Sequence, residues 1–183
     1  MVIERRRDHE MNTENNALIT QICLQDVDEL VENFCFPWDT QEKTEAKWKR
    51  YFEEHQKDTC TVAIIKRNDE IVGYGSLLYK SEYPLFEGVP EINDVWIHEK
   101  HRGAGLGTAL IQCFEALAKD KGYKEIGIGV GLYADYGAAQ KLYVKLGYVP
   151  DGSGITYQCK RTNPGTSYPL DDDLILWLKK PLR

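Results

Sequence analysis

The run Ile92-Asn93-Asp94-Val95-Trp96-Ile97-His98-Glu99-Lys100-His101-Arg102-Gly103-Ala104-Gly105-Leu106-Gly107-Thr108 is where the sequence offers chemistry. A β-rich segment feeds a turn with glycine at 103, 105 and 107, and the turn opens an apolar-periodic helix. Glycine lets backbone N–H groups point at a ligand with no Cβ in the way. The first N–H groups of a helix lack partners, and the positive end of its dipole favours an anion. Together these features make a phosphate or pyrophosphate cradle. Arg102 stands at its lip, and Thr108 is placed to cap. The plainer alternative is that the glycines only turn a strand tightly into a helix. A Walker A loop needs Gly-Lys-Ser/Thr, and Gly107-Thr108 has no lysine. The dinucleotide fingerprint fails because Thr108 stands where its third glycine belongs. The acids about 20 residues on, Asp120 and Glu125, fall at the helix end.

The stretch Arg102-Gly103-Ala104-Gly105-Leu106-Gly107 matches the R-G-x-G-x-G signature of the GNAT (Gcn5-related) N-acetyltransferases. Upstream, Ile92, Val95 and Ile97 fall on that family's apolar strand positions. Downstream, Ala138-Ala139-Gln140-Lys141-Leu142-Tyr143-Val144-Lys145-Leu146-Gly147-Tyr148 resembles its N-x-A-A-x-x-L-Y-x-x-x-G-F segment. Two motifs at family spacing weigh more than a glycine turn alone. The resemblance implies an α/β chain with the GNAT acyl-CoA N-acyltransferase fold, a mixed, mostly antiparallel sheet flanked by helices. It also implies acetyl-CoA as co-substrate, with its pyrophosphate held by Arg102, Gly103, Ala104, Gly105, Leu106, Gly107 and Thr108. Backbone groups of Val95, Trp96 and Ile97 would pair with the pantetheine arm like an added strand. Tyr136 replaces the asparagine that the family sets against that arm. Tyr143 matches the family's general acid toward the CoA sulfur, and packing of Leu142 and Leu146 against the sheet is its alternative role.

Acetyl transfer to an amine sets physical demands on the rest of the site. An alkylammonium with a pKa of about 10.4 holds its proton at pH 7 by about 4.6 kcal/mol. A carboxylate, directly or through water, must help take it, and the departing thiolate needs a proton donor. The local acids are Glu91 and Asp94. Strand alternation sets Glu91 and Asn93 on one face and Asp94 on the other. The stretch is similar to an acid-acid pair in polyamine-type members of the family, but Asn93 replaces the first acid and cannot accept a proton. That leaves Asp94, Glu91 or a water chain as base, against the alternative that both acids are solvated or capping groups.

The elements that must position these groups are legible as periodicities. Residues 1–16 are polar and aperiodic and read as a flexible arm, leaving 17–183 as a single domain. Residues 17–24 read as a strand. Asp26 then reads as the cap of a helix from Val27 to about Phe34, which Pro37 ends. A second helix spans Gln41 to His55, with Trp48, Tyr51 and Phe52 at helical spacing. Thr59–Arg67 and Glu70–Tyr79 flank Asn68-Asp69 and predict a hairpin. Residues 81–90 read as a loop, Ile92–His98 as a strand, and the helix after the glycine turn as ending at Gly122. Ile126, Ile128 and Val130 alternate with Gly127, Gly129 and Gly131, a strand with one bare face. That face suits a strand splayed for pantetheine, close helix packing on glycine, or both. A short helix spans Tyr136–Leu146. The chain then reads as irregular through Pro169, with a final apolar strand at Leu174–Leu178.

Net charge is −6, from 29 acids against 23 Lys and Arg, and the only tight basic cluster is Arg5-Arg6-Arg7. Nucleic acid is therefore not an expected partner. No apolar run approaches the roughly 18 residues of a membrane span, and no secretory signal is evident, so no membrane partner and a cytoplasmic location are expected. Five cysteines, odd in number and without a CxxC pair, read as reduced and mostly buried thiols. The four histidines have no ligand-like spacing, and no metal is assigned. An acceptor site built by the two N-terminal helices and the 81–90 loop would offer aromatics (Phe34, Phe36, Trp38, Tyr83, Phe86) and acids (Glu29, Glu32, Asp39, Glu87). Such a site suits an amine with an apolar portion. The expected activity is acetyl-CoA-dependent N-acetylation of a small-molecule amine, with a non-catalytic acyl-CoA-binding sensor as the alternative. Residues 158–169 could join a partner's edge in a homodimer.

Overall fold

The computed structural model describes residues 11–12, 17–37 and 39–183. Its elements are β1 (Met11–Asn12), β2 (Leu18–Gln21), α1 (Asp26–Asn33), α2 (Gln41–Gln56), β3 (Cys60–Arg67), β4 (Glu70–Leu78), β5 (Glu91–Ile97), α3 (Leu106–Asp120), β6 (Glu125–Gly131), α4 (Gly137–Lys145), β7 (Val149–Tyr157), β8 (Lys160–Arg161) and β9 (Leu174–Pro181). This is a mixed α/β fold with a mostly antiparallel sheet, in which β5 pairs parallel with β6. Most of the proposed N-terminal arm lies outside the described residues, but Met11 and Asn12 pair with Ile19 and Leu18. Trp38 also lies outside them. No helix among the described residues is long and apolar enough to cross a membrane.

The chain divides into two compact units, residues 1–77 with 94–113 and residues 78–93 with 114–183. In the first, the strand order is β1-β2-β3-β4-β5. Its core is aliphatic on β3 (Val62, Ile64, Ile65) and aromatic on the helix side (Phe34, Trp48, Tyr74). Asn68 and Asp69 turn the β3–β4 hairpin with φ of 52° and 66°, the doubly left-handed pair that a two-residue hairpin needs. Helix α1 begins at Asp26, and that residue does not cap it. Its carboxylate instead accepts the Cys23 N–H at 2.8 Å and meets Lys66 Nζ at 2.6 Å. Burial pushes this carboxyl up, and hydrogen bonds from Cys23 and Lys66 more than offset that, holding it below its ordinary range.

In the second unit the order is β5-β6-β9-β7-β8. The face of β6 left bare by its glycines is covered by rings. A Cβ at Gly127 would come within 2.1 Å of Phe86, one at Gly129 within 2.9 Å of Trp177, and one at Gly131 within 2.5 Å of Tyr136. The face is closely packed, but by rings from a strand and two short turns and not by an α-helix as expected. β6 pairs with β5 at Gly127 with Glu91 and at Ile128 with Ile92. The segment read as irregular contains two strands, β7 and β8. Two causes hid them. Gly152 and Gly154 take positive φ in a register shift between Pro150 and Ile155, and the β7–β8 turn is made by Gln158 and Cys159, with φ of 51° and 58° in residues that rarely sign a turn. Gly122 and Gly147, both with φ of 89°, close α3 and α4. Of the five free cysteines only Cys60 and Cys113 are buried, and Cys23, Cys35 and Cys159 are half-buried, so the mostly-buried expectation is corrected.

Candidate active site

In the first unit β5 leads through a short 3-10 turn, Glu99–His101, to the glycine loop and the N-terminus of α3. Gly103 and Gly105 hold φ of 77° and 78°, a conformation that costs an L residue energy. Both are exposed, and a Cβ at Gly103 would meet nothing within 4 Å. The first turn of α3 carries no acid, so no side chain there competes with a bound anion. Leu106 is buried and anchors the helix start, and the Ala109 N–H donates to the Gly105 carbonyl at 3.0 Å. Thr108 falls inside the first turn, because Gly105 ends the loop and the helix starts at Leu106. It is therefore not the cap expected. Arg102 is exposed, and its Nε donates to the Ile97 carbonyl at 2.9 Å, which fixes the guanidinium against the end of β5. An open, acid-free helix N-terminus behind two left-handed glycines fits a pyrophosphate.

The strand before the cradle carries Val95, Trp96 and Ile97, all half-buried. Trp96 stacks on Tyr74 (centroids 6.1 Å apart, planes 20°) and meets Phe34 edge-on at 5.1 Å. Asp94 has φ of 52°, a left-handed residue inside a strand. Such strain persists only where the surroundings impose it. The Asp94 carboxylate accepts from the Tyr51 hydroxyl at 3.2 Å and pairs with Lys47 Nζ at 2.6 Å. Its electrostatic reach is visible at Tyr51, whose hydroxyl burial and the Asp94 charge both push upward.

In the second unit Glu91 is only 5% exposed. Ser81 Oγ donates to it, and Asn93 Nδ2 donates at 2.8 Å, so Glu91 and Asn93 share a face as the alternation required. Burial raises the Glu91 carboxyl above its ordinary value, although both hydrogen bonds pull the other way. Tyr143 is 7% exposed on α4, and burial alone pushes its hydroxyl up to about 12. It is therefore a protonated donor throughout the physiological range. Tyr136 is occupied elsewhere: its hydroxyl donates to Asp172 at 2.9 Å beside that of Tyr133, and its ring covers Gly131.

The aromatics expected to form an acceptor site are mostly core. Phe34 is buried among Trp48, Tyr74 and Trp96, and Tyr83 and Phe86 pack on Trp177. Glu29 accepts the Ile71 N–H at 2.7 Å. A recess of about 250 Å³ lined in part by Tyr83, Leu85, Thr156 and Arg161 includes one of the expected acceptor aromatics, Tyr83, and none of the expected catalytic or cofactor residues. Sequence reasoning missed Lys47, Tyr51 and Tyr74, which gather around Asp94. The signal for one of them was the aromatic spacing on α2, which puts Tyr51 beside Trp48 on the buried face.

The sequence profile described as "Acetyltransferase (GNAT) family" matches residues 25–148. Among solved structures, an N-acetyltransferase from Staphylococcus aureus Mu50 is 20% identical and superposes with a TM-score of 0.69, covering 92% of this chain and 99% of that one. The yncA protein of Salmonella typhimurium, solved with its cofactor acetyl-CoA, is 19% identical with a TM-score of 0.68, covering 92% and 95%. RimL, a ribosomal L7/L12 alpha-N-protein acetyltransferase in complex with coenzyme A, is 14% identical with a TM-score of 0.68, covering 95% and 98%. A sequence comparison with the curated proteins finds no match.

Proposed function

Because this chain belongs to the GNAT acetyltransferase family, we propose that it is a cytoplasmic N-acetyltransferase that takes the acetyl group from acetyl-CoA to the amine of a small molecule. The observation that carries the reading is the cradle: Gly103 and Gly105 at φ of 77° and 78°, before a 15-residue helix with no acid in its first turn. Bound there, acetyl-CoA supplies an activated acyl thioester. The residues Arg102, Gly103, Ala104, Gly105, Leu106, Gly107 and Thr108 hold the pyrophosphate through backbone N–H groups and the helix dipole. Val95, Trp96 and Ile97 offer backbone partners to the pantetheine arm. Asp94 or Glu91 takes the amine proton. Glu91 is the more basic of its kind for being buried, and Asp94 stands nearer the cradle in the chain. Tyr143 delivers a proton to the departing sulfur. Tyr136, with its hydroxyl on Asp172 and its ring on Gly131, packs instead of holding the cofactor.

The test is release of CoA thiol from acetyl-CoA across a panel of amines, with the mass of each product measured. Release with one amine class, and the matching acetylated product, supports the reading and names the acceptor. Acetyl-CoA binding without release on any amine would favour the sensor alternative.

A further inference from the structure

The side chain that meets Asp94 is itself a primary amine. Lys47 lies on α2 with its side chain 26% exposed, and its Nζ is 2.6 Å from Asp94 Oδ2. Three rings surround it, with Nζ 5.3 Å from the centroid of Trp48, 5.8 Å from Tyr51 and 5.2 Å from Tyr74. It also donates to the Tyr74 hydroxyl at 3.4 Å. Aromatic faces and one carboxylate make a site for an alkylammonium, and the chain's own lysine fills it. All of these residues belong to the first unit.

The position along β5 gives this site its meaning. The cradle at 102–108 follows the strand, and on the acetyltransferase reading a pantetheine arm would run back along Ile97 to Val95. Its thioester end would then fall at the level of Asp94, where a left-handed φ of 52° interrupts the strand. That placement rests on the acetyltransferase reading above. We propose that Lys47 is an internal acetyl acceptor, modified on Nζ by the acetyl-CoA bound to its own chain. The protonated amine gives one proton to the Asp94 carboxylate, and its freed lone pair attacks the thioester carbonyl. The N–C bond forms as the C–S bond breaks, CoA leaves as the thiol, and the net products are acetyl-lysine, CoA-SH and one proton. Position does most of the work, because acceptor and base are already in contact. Acetylation removes the charge of Lys47 and releases Asp94 from its ion pair.

The full chain is incubated with acetyl-CoA, and the modification of each lysine is followed by peptide mass, with a urea-unfolded sample as the chemical background. Lys49 and Lys57, with side chains 63% and 68% exposed, serve as internal controls. Lys47 should be acetylated at least about tenfold faster than either, at a rate independent of protein concentration, and Asp94→Asn should remove that advantage. A readout that needs no acetyl-CoA accompanies it. The Lys47 methylene resonances should be displaced upfield by the three rings and return to ordinary positions in Asp94→Asn. Cofactor binding, read by thermal shift, with Lys47 modified no faster than Lys49, overturns the inference and leaves the acetyltransferase reading standing. No cofactor binding overturns both. Lys47 resonances at ordinary lysine positions, or acetylation unaffected by Asp94→Asn, overturn the pairing on which the inference depends.

Discussion

Tyr143 and Glu91 are both protonated more readily than their free counterparts, and for the same reason. Each is buried, with the hydroxyl raised to about 12 and the carboxyl raised above its ordinary value. For Tyr143 this keeps the phenol protonated at any physiological pH, while the same shift makes it a weaker acid toward a thiolate. Tyr143→Phe keeps the ring that meets Tyr148 and removes only the hydroxyl. Turnover should fall by about 10²-fold or more while the dissociation constant for acetyl-CoA changes little. Equal turnover in the variant would reduce Tyr143 to packing. For Glu91 the raised value means that the neutral form persists to higher pH than in an exposed glutamate. If it is the base, kcat/KM should rise with pH through a limb above the ordinary glutamate range, and Glu91→Gln should abolish that limb. A limb unchanged in Glu91→Gln leaves Asp94 as the base. The stability sign follows the same shift: folding favours protonated Glu91, so its contribution is full below the unfolded value and is lost as pH rises through the folded one.

At the scale of elements, β6 shows how much side-chain absence can mean. Its alternating glycines were readable as a bare face, but what covers that face lies far off in sequence, at Phe86, Tyr136 and Trp177. Gly127→Ala would put a Cβ 2.1 Å from the Phe86 ring, which is itself packed edge-on against Tyr83 and Trp177 and cannot withdraw freely. The expected cost is about 1–3 kcal/mol in chemical denaturation. Gly137→Ala, at the exposed start of α4 with nothing within 4 Å of the added Cβ, should instead stabilise by about 0.5–1 kcal/mol. Equal effects at the two positions would mean that the Phe86 contact imposes no constraint. The elements set by local signals were legible: the Asn68-Asp69 hairpin, the Gly122 stop, and the helical spacing on α2. The β7–β8 hairpin was not, because its turn is Gln158-Cys159 and its strand is interrupted at Gly152 and Gly154. The candidate site divides in the same way. The cradle is written contiguously from Arg102 to Thr108. The surroundings of Asp94 come from Lys47, Tyr51 and Tyr74, which are separated from it by tens of residues, so no short pattern could declare them.

For the chain as a whole, the most general consequence of the reading is thermodynamic. The residues assigned to the cofactor run from β5 into α3, and their left-handed glycines and helix N-terminus exist only when the chain is folded. The unfolded chain has no such cradle, so acetyl-CoA must bind the native state alone and shift the folding equilibrium by mass action. At a free concentration about 100 times its dissociation constant the stabilisation is about 2.7 kcal/mol. For a chain of 183 residues that corresponds to a rise of roughly 5–10 °C in the melting temperature. The charge of −6 works against any anion in general, so a nonspecific nucleotide should give a much smaller shift. Melting curves with acetyl-CoA, CoA and ATP separate the possibilities. A shift with the first two but not ATP fits a pyrophosphate cradle extended by a pantetheine track. Equal shifts with all three would mean that the loop reads phosphate alone, and no shift with saturating acetyl-CoA would remove the basis for assigning acetyl transfer to this chain.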